Sequence, residues 1–230
     1  MIPQIKTSSR RGFTLIELLV VISIIGVLAA FSVVSLKTIS KTRKISVARG
    51  ELAQVAAALE NYKAKYGAYP PGNGANTTTA ALTNQLFYEL SGTTINAGGN
   101  FQTLDSSATI APLAVKNIYN VGGFLNCTKG GGEDTASAKN FILSLKPNQI
   151  GSVFYNNGIP ATNLVTAVGG PDDTYLPVGV KGVNPIRYMA PGPTNNNAGS
   201  YDLWVQLQIN GKKYLVCNWS KAAQVNNPMP

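Results

Sequence analysis

Hydrophobic residues are concentrated in one uninterrupted run near the start of the chain. From Phe13 to Leu36 the only charged side chain is Glu17. A helix of this length extends about 36 Å, against roughly 30 Å of hydrocarbon in a bilayer. The run therefore predicts a membrane-spanning helix over residues 13–36. A carboxylate inside such a helix costs about 2–4 kcal/mol near its centre and is usually kept for a function.

The apolar pattern continues beyond the run with the spacing of an amphipathic helix. Positions three and four apart form one apolar stripe, which comprises Ile45, Ala48, Leu52, Val55, Leu59, Tyr62 and Tyr66. The opposite face is polar and carries Lys41, Lys44, Gln54, Glu60, Lys63 and Lys65. Gly67 and Pro70-Pro71 then give a stop signal. One helix from Phe13 to Tyr66 is expected. Its stripe is expected to pack on the protein's own sheet, with a partner helix as the alternative.

The remaining residues, 67–230, predict a small head rich in loops. Gly, Asn and Thr dominate residues 72–80 and 92–109, and residues 147–200 alternate Gly and Pro with short apolar pieces. Short helices are predicted over 81–90 and 137–145. The pattern in 147–200 predicts surface loops with few strands.

The clearest strand signal lies near the end of the chain. Apolar Leu203, Val205, Leu207 and Ile209 alternate with polar or aromatic neighbours, and Asn210-Gly211 precedes a second apolar segment, residues 212–219. This combination predicts a β-hairpin. Residues 185–190 are expected to supply the preceding strand. The predicted fold class is α+β, with a long N-terminal helix packed on a small C-terminal antiparallel sheet with extended loops.

The start of the chain resembles the type IV pilin superfamily, which includes type II secretion pseudopilins. The resemblance rests on Gly12-Phe13-Thr14-Leu15-Ile16-Glu17 and the apolar run behind it. It implies a leader, residues 1–12, that a prepilin peptidase removes between Gly12 and Phe13. The same enzyme methylates the new amino group of Phe13. The resemblance also implies that Glu17 pairs with the terminal amine of a neighbouring subunit in a helical filament.

The resemblance implies a domain order and a location. Residues 13–36 would form a transmembrane and filament-core helix, residues 37–66 its amphipathic continuation, and residues 67–230 the extracytoplasmic head. The protein would cross the bacterial inner membrane once, with the head in the periplasm. Assembly would place it in a periplasmic pseudopilus or a surface pilus. The implied partners are other copies of the chain, the peptidase and an inner-membrane assembly platform.

Two other interpretations compete for the N-terminal segment. Basic residues, an apolar core and Ala30-Phe31-Ser32 fit a secretory signal peptide. Ser9-Arg10-Arg11-Gly12-Phe13 fits part of a twin-arginine export signal. Glu17 inside the apolar core and the length of the run favour the pilin-type leader.

Composition argues against catalysis. The chain contains no histidine, which excludes histidine-based triads and histidine metal ligands. Its adjacent acidic pairs, Glu133-Asp134 and Asp172-Asp173, lie in Gly-containing segments typical of turns. The net charge is +9, but charged residues are only 13% of the chain, so nucleic acid binding is not expected. No catalytic residue is therefore assigned.

Many pseudopilins bind calcium near the C-terminus through acidic residues. In the matching region this chain has only Asp202, whereas calcium takes six to eight oxygen ligands. We expect neither a calcium site of that type nor another cofactor. The two cysteines, Cys127 and Cys217, permit one disulfide in an oxidising compartment, with two separate buried thiols as the alternative.

A filament subunit is the expected function. One group of residues resembles the pseudopilin branch and favours a role in protein export: Tyr69-Pro70, Pro185, Tyr188, Pro191-Gly192, Tyr201-Asp202-Leu203 and Asn218-Trp219. A surface pilin for adhesion, motility or DNA uptake is the alternative. A membrane-anchored periplasmic binding domain is the second alternative.

Overall fold

The computed structural model describes residues 12–72, 81–128, 137–155, 158–169 and 183–225. Within the helix over Leu15–Tyr66, the side chains of residues 30–38 lie outside the description. The chain divides into two compact units, Met1–Arg43 and Lys44–Pro230. The predicted leader, residues 1–12, lies outside the described residues except for Gly12.

One long helix opens the described chain. Helix α1 runs over Leu15–Tyr66 and contains no proline, so its backbone hydrogen bonds are uninterrupted. It ends where Gly67 adopts a φ of 76°, and the amide of Gly67 donates to the carbonyl of Lys63. Glycine adopts this left-handed conformation without steric cost, so the predicted stop is confirmed.

The predicted membrane span over residues 13–36 is not confirmed. Among the described residues, no helix has enough apolar length to cross a bilayer. The structure does not describe the side chains of residues 30–36, which belong to the predicted span.

The second half of α1 supplies one wall of the head's core. Most of the predicted stripe is buried, with Ile45 and Tyr66 half-buried at its two ends. Ala58 joins the stripe, which the sequence pattern had not included. The stripe therefore packs within the protein's own head, as the α+β fold class predicts.

Besides the helical residues 81–82, two further helices and ten strands follow in the described residues. The helices are α2 (Leu86–Ser91) and α3 (Pro112–Tyr119), and a 3₁₀ turn covers Pro147–Gln149. The strands are β1 (Thr93–Ile95), β2 (Phe101–Thr103), β3 (Thr109–Ile110), β4 (Cys127–Thr128), β5 (Ile150–Tyr155), β6 (Ile159–Leu164), β7 (Arg187–Met189), β8 (Asp202–Ile209), β9 (Lys212–Cys217) and β10 (Gln224–Val225).

The C-terminal sheet matches its prediction closely. Its strand order is β10-β9-β8-β7, with every pair antiparallel. Strands β8 and β9 pair from Trp204↔Cys217 to Ile209↔Lys212. Between them Asn210 and Gly211 have φ angles of 52° and 75°, as a two-residue hairpin turn requires. Strand β7 falls inside the predicted segment 185–190.

In the middle of the chain one prediction holds in part and two fail. Residues 81–82 and 86–90 of the predicted helix over 81–90 are helical, with a break at residues 83–85 before α2 begins at Leu86. Residues 137–145 contain no helix and instead form bends and turns. The Gly- and Thr-rich segment 92–109 holds β1 and β2, which lie in a sheet of order β3-β2-β1-β4 with β1 and β4 parallel. Strands β5 and β6 also form an unpredicted hairpin within 147–200.

Candidate functional site

The peptide between Gly12 and Phe13 lies ahead of the first helical turn. Both residues are exposed, and 84% of the Phe13 surface is open to solvent. Helix α1 begins two residues later, at Leu15. The backbone at this predicted cleavage position is therefore outside the helical hydrogen-bond ladder.

Thr14 and Glu17 form a reciprocal cap at the start of α1. The Glu17 amide donates to Oγ1 of Thr14 over 3.3 Å. The Thr14 amide and Oγ1 both donate to Oε2 of Glu17, each over 2.8 Å. This arrangement is a capping box, which satisfies amides that the first turn leaves without partners. The cap holds the Glu17 carboxylate at the helix end nearest to Phe13.

On both sides of Glu17 the described part of this segment, up to Ala29, is largely apolar and exposed. The exposed large side chains are 45–84% accessible, and they comprise Phe13, Leu15, Ile16, Leu18, Leu19, Val20, Val21, Ile22, Ile24, Ile25, Val27 and Leu28. A helix that is hydrophobic all round is normally buried among other apolar groups. Gly12, Phe13 and Glu17 thus lie together at the end of an uncovered apolar helix.

The permitted disulfide is not formed. Cys127 and Cys217 are free, buried thiols. Cys127 lies on β4 and Cys217 on β9, which belong to different sheets. Each thiol packs in its own hydrophobic cluster, so the fold keeps the two sulfur atoms apart.

Asp202 is engaged by its own loop. Its carboxylate accepts the amides of Asn196, over 2.7 Å, and Asn197, over 2.9 Å. The side-chain amide of Asn196 donates as well, over 3.0 Å. The residue is 1% exposed. This carboxylate therefore closes the 196–202 loop through hydrogen bonds from the protein itself. The acidic pair Asp172-Asp173 lies outside the described residues.

Glu89 is a second buried carboxylate that accepts hydrogen bonds from main-chain amides. It lies in α2 and accepts the amides of Leu125 and Asn126 over 2.8 and 3.0 Å. Tyr62 donates its hydroxyl over 2.9 Å. Burial raises the pKa of the Glu89 carboxyl, and these donors lower it in part. Asn126 returns a hydrogen bond to the Glu89 carbonyl and accepts one from Tyr66. The cluster ties α1, α2 and the segment before β4 together.

Glu51 is the third such acid. It lies on α1 and accepts the amide of Ala167 and the hydroxyl of Thr166, which follow β6. Sequence analysis missed Glu51 and Glu89. The available signal was their position: Glu51 lies within one turn of Ala48 and Val55 on the apolar stripe, and Glu89 is flanked by Tyr88 and Leu90. An acid at a core position indicates a buried acceptor.

Comparisons with known proteins bear on the N-terminal part of the chain. Residues 7–33 match the family described as the prokaryotic N-terminal methylation motif. The chain is 46% identical over 59 residues to the type II secretion system core protein G of Pseudomonas aeruginosa. The aligned part covers 26% of this chain and 42% of that protein, less than half of its length. No solved structure gives a match.

The resemblance to prepilin-type sequences is therefore confirmed where the motif lies. The matched family segment contains Gly12, Phe13 and Glu17. This chain carries a prepilin-type N-terminal methylation motif and, over its N-terminal part, is similar to a core protein of a type II secretion system.

Proposed function

We propose that this chain is a structural subunit of a type IV pilus-like filament, and that it acts as a type II secretion pseudopilin supporting protein export. The observation that carries the proposal is the open apolar helix behind the capped Glu17. Such a helix needs apolar neighbours on all sides. Copies of the same helix, packed side by side in a filament, supply them.

Maturation would take place at the Gly12–Phe13 bond. This bond lies exposed outside α1, where a prepilin peptidase could reach it. Cleavage would leave a cationic amine on Phe13, which the same enzyme would methylate. The Thr14 cap keeps the first helical residue at Leu15, so the scissile bond stays outside the helix.

Glu17 would form an ion pair with the terminal amine of a neighbouring subunit. Its Oε2 is occupied by Thr14, while its Oε1 accepts no hydrogen bond from the described residues. That second oxygen is available to a cation from another chain. Two opposite charges within an apolar filament core offset much of each other's desolvation cost, whereas either one alone would be expensive there.

Before assembly, the apolar segment would hold the chain in the inner membrane with the head in the periplasm. An assembly platform in that membrane would then move subunits into the filament. The protein's role is mechanical, and the chemistry at Gly12 and Phe13 belongs to the peptidase.

The N-terminus of assembled material tests the proposal. Mass spectrometry of purified filaments should find N-methylated Phe13 as the first residue. A Glu17→Ala variant should be cleaved but polymerise poorly, because the neighbour's amine loses its partner. Glu60→Ala, an exposed acid on the same helix, is the matched control and should polymerise normally. An uncleaved Met1, or normal polymerisation of Glu17→Ala, would contradict the proposal.

The cell fraction in which the methylated subunit is found distinguishes a pseudopilin from a surface pilin. Methylated Phe13 confined to envelope fractions supports the pseudopilin, whereas the same terminus in long sheared surface fibres supports a surface pilin. An intact N-terminus on a monomeric membrane protein supports an anchored binding domain instead.

A further inference from the structure

A groove of about 310 Å³ runs beside the second half of α1. One wall is the helix itself, where Leu52, Ala53 and Ala56 present aliphatic side chains. The other wall is the end of β9 and the segment after it, from Cys217 to Lys221. All of these residues belong to the unit Lys44–Pro230. We call this feature the α1–β9 groove.

Two cations, one from each wall, line the α1–β9 groove. Arg49 lies on the helical wall and Lys221 on the opposite one, and both are exposed. Neither forms an ion pair with a carboxylate of the described residues. Burial raises the pKa of the Cys217 thiol, with Asp202 acting in the same direction, while nearby backbone amides and Arg49 lower it. The groove therefore combines an aliphatic wall with positive charge and suits an aliphatic side chain beside a carboxylate.

An exposed aliphatic side chain beside a carboxylate occurs elsewhere on the surface of the same head. Among the described residues of the unit Lys44–Pro230, the exposed acids are Glu60 and Asp105. Glu60 accepts a hydrogen bond from Tyr69 of the same chain over 3.0 Å. Asp105 lies in the turn between β2 and β3, next to Leu104, whose side chain is 41% exposed.

The turn is held in a fixed shape. The amide and hydroxyl of Ser107 donate to Oδ1 of Asp105 over 3.0 and 2.7 Å. Ser106 has a φ of 59° and donates its amide to Thr103. A preformed turn loses little conformational entropy when it docks. Leu104 and Asp105 therefore project as a rigid pair.

We propose that the α1–β9 groove receives the β2–β3 turn of a second copy of this chain. Leu104 packs on the aliphatic wall, and Asp105 lies between the two cations. Within one chain the turn does not line the groove, because the lining residues come from α1 and the segment after β9. A patch that docks into a different patch on the next copy makes a head-to-tail contact, which propagates as a helix. The proposal rests on the filament function and names one contact that would build it.

Disulfide trapping in assembled filaments tests the contact. In a Cys127→Ala, Cys217→Ala background, Leu104→Cys combined with Ser220→Cys should give ladders of cross-linked subunits on oxidation. Ser220 is half-buried and lines the groove, so its substitute stays reachable. Leu113→Cys combined with Ser220→Cys is the matched control, because Leu113 is an exposed leucine on α3. The control should give no ladder. A ladder from the control alone, or from neither variant, overturns the proposal.

Charge reversal tests the same contact without cysteines. Asp105→Arg and Arg49→Asp should each lower filament yield several-fold, and the double variant should restore it, because the reversed pair attracts again. Single variants that assemble as well as the unchanged chain would overturn the groove contact while leaving the filament function intact. If the unchanged chain forms no filaments, the proposed function itself fails.

Discussion

Tyr62 on α1 donates a hydrogen bond of 2.9 Å to Glu89 on α2, and both side chains are fully buried. The pair joins the long helix to α2, a short helix of the head. A buried carboxylate that loses a donor keeps its full desolvation cost. This contact is therefore a sensitive point of the head's stability.

Replacing Tyr62 by phenylalanine should destabilise the head by about 1.5–3 kcal/mol, since it removes a donor to a buried carboxylate. Denaturant unfolding of the detergent-purified protein measures this. Tyr69→Phe is the control: Tyr69 bonds the exposed carboxylate of Glu60, and such surface contacts are worth about 1 kcal/mol or less. Equal losses in the two variants would contradict the prediction.

The free energy of unfolding of the head should fall as the pH rises above the ordinary pKa range of carboxyl groups. Burial raises the folded-state pKa of Glu89 above its unfolded value of about 4.3. Between those two pKa values the folded state binds more protons than the unfolded state, so raising the pH favours unfolding.

Glu89→Gln should remove that part of the pH dependence, because glutamine does not titrate. Unfolding free energies of both proteins, measured across this pH window, give the comparison. A slope that persists in Glu89→Gln would assign it to another group.

Glu51→Ala should release the segment after β6. The change leaves the amide of Ala167 and the hydroxyl of Thr166 without their acceptor, at a cost of about 1–3 kcal/mol. Hydrogen exchange of residues 165–168 should rise more than exchange of β8 and β9. Thr166→Val removes one of the two partners and should have a smaller effect.

The cap at the start of α1 should affect assembly. Thr14→Ala removes the hydroxyl that pairs with Glu17 and should cost the first turn about 0.5–2 kcal/mol. Filament yield should fall, whereas Thr14→Ser retains the hydroxyl and should assemble normally. Equal yields for the two variants would show that the cap has no part in assembly.

Gly211→Ala should destabilise the β8–β9 hairpin by about 1 kcal/mol, because its φ of 75° disfavours any residue with a Cβ. Asn210→Gly should be tolerated, since glycine adopts the same φ freely. Thermal unfolding of the two variants checks the order of their stabilities.

The sequence predicts well where a local pattern decides the structure. The stripe on α1, the stop at Gly67 and the Asn210-Gly211 hairpin depend on periodicity and turn chemistry within a few residues. The motif at Gly12, Phe13 and Glu17 is local in the same way. Its partners in a filament lie on other chains, and they stay a prediction.

Long-range contacts account for the failures. Strands β1 and β2 have three residues each and are rich in threonine, so their strand character comes from pairing in a sheet. The segment 137–145 has no helix because its backbone is used elsewhere: Phe141 donates to Leu90, and Lys139 exchanges hydrogen bonds with Asn126. Burial of Glu51 and Glu89 likewise depends on loops more than thirty residues away in sequence.

The three inward-facing acids hold their loops by peptide groups, and every amino acid except proline offers the same peptide N–H. Side chains of those loops that make no hydrogen bond can consequently vary while the backbone keeps its shape, whereas Thr166, Asn126 and Asn196 also bind through their side chains. We therefore expect related subunits to carry different surface side chains on the same backbone frame. A proline at position 125, 126, 167, 196 or 197 would remove one of these N–H donors, so it is the one residue excluded there.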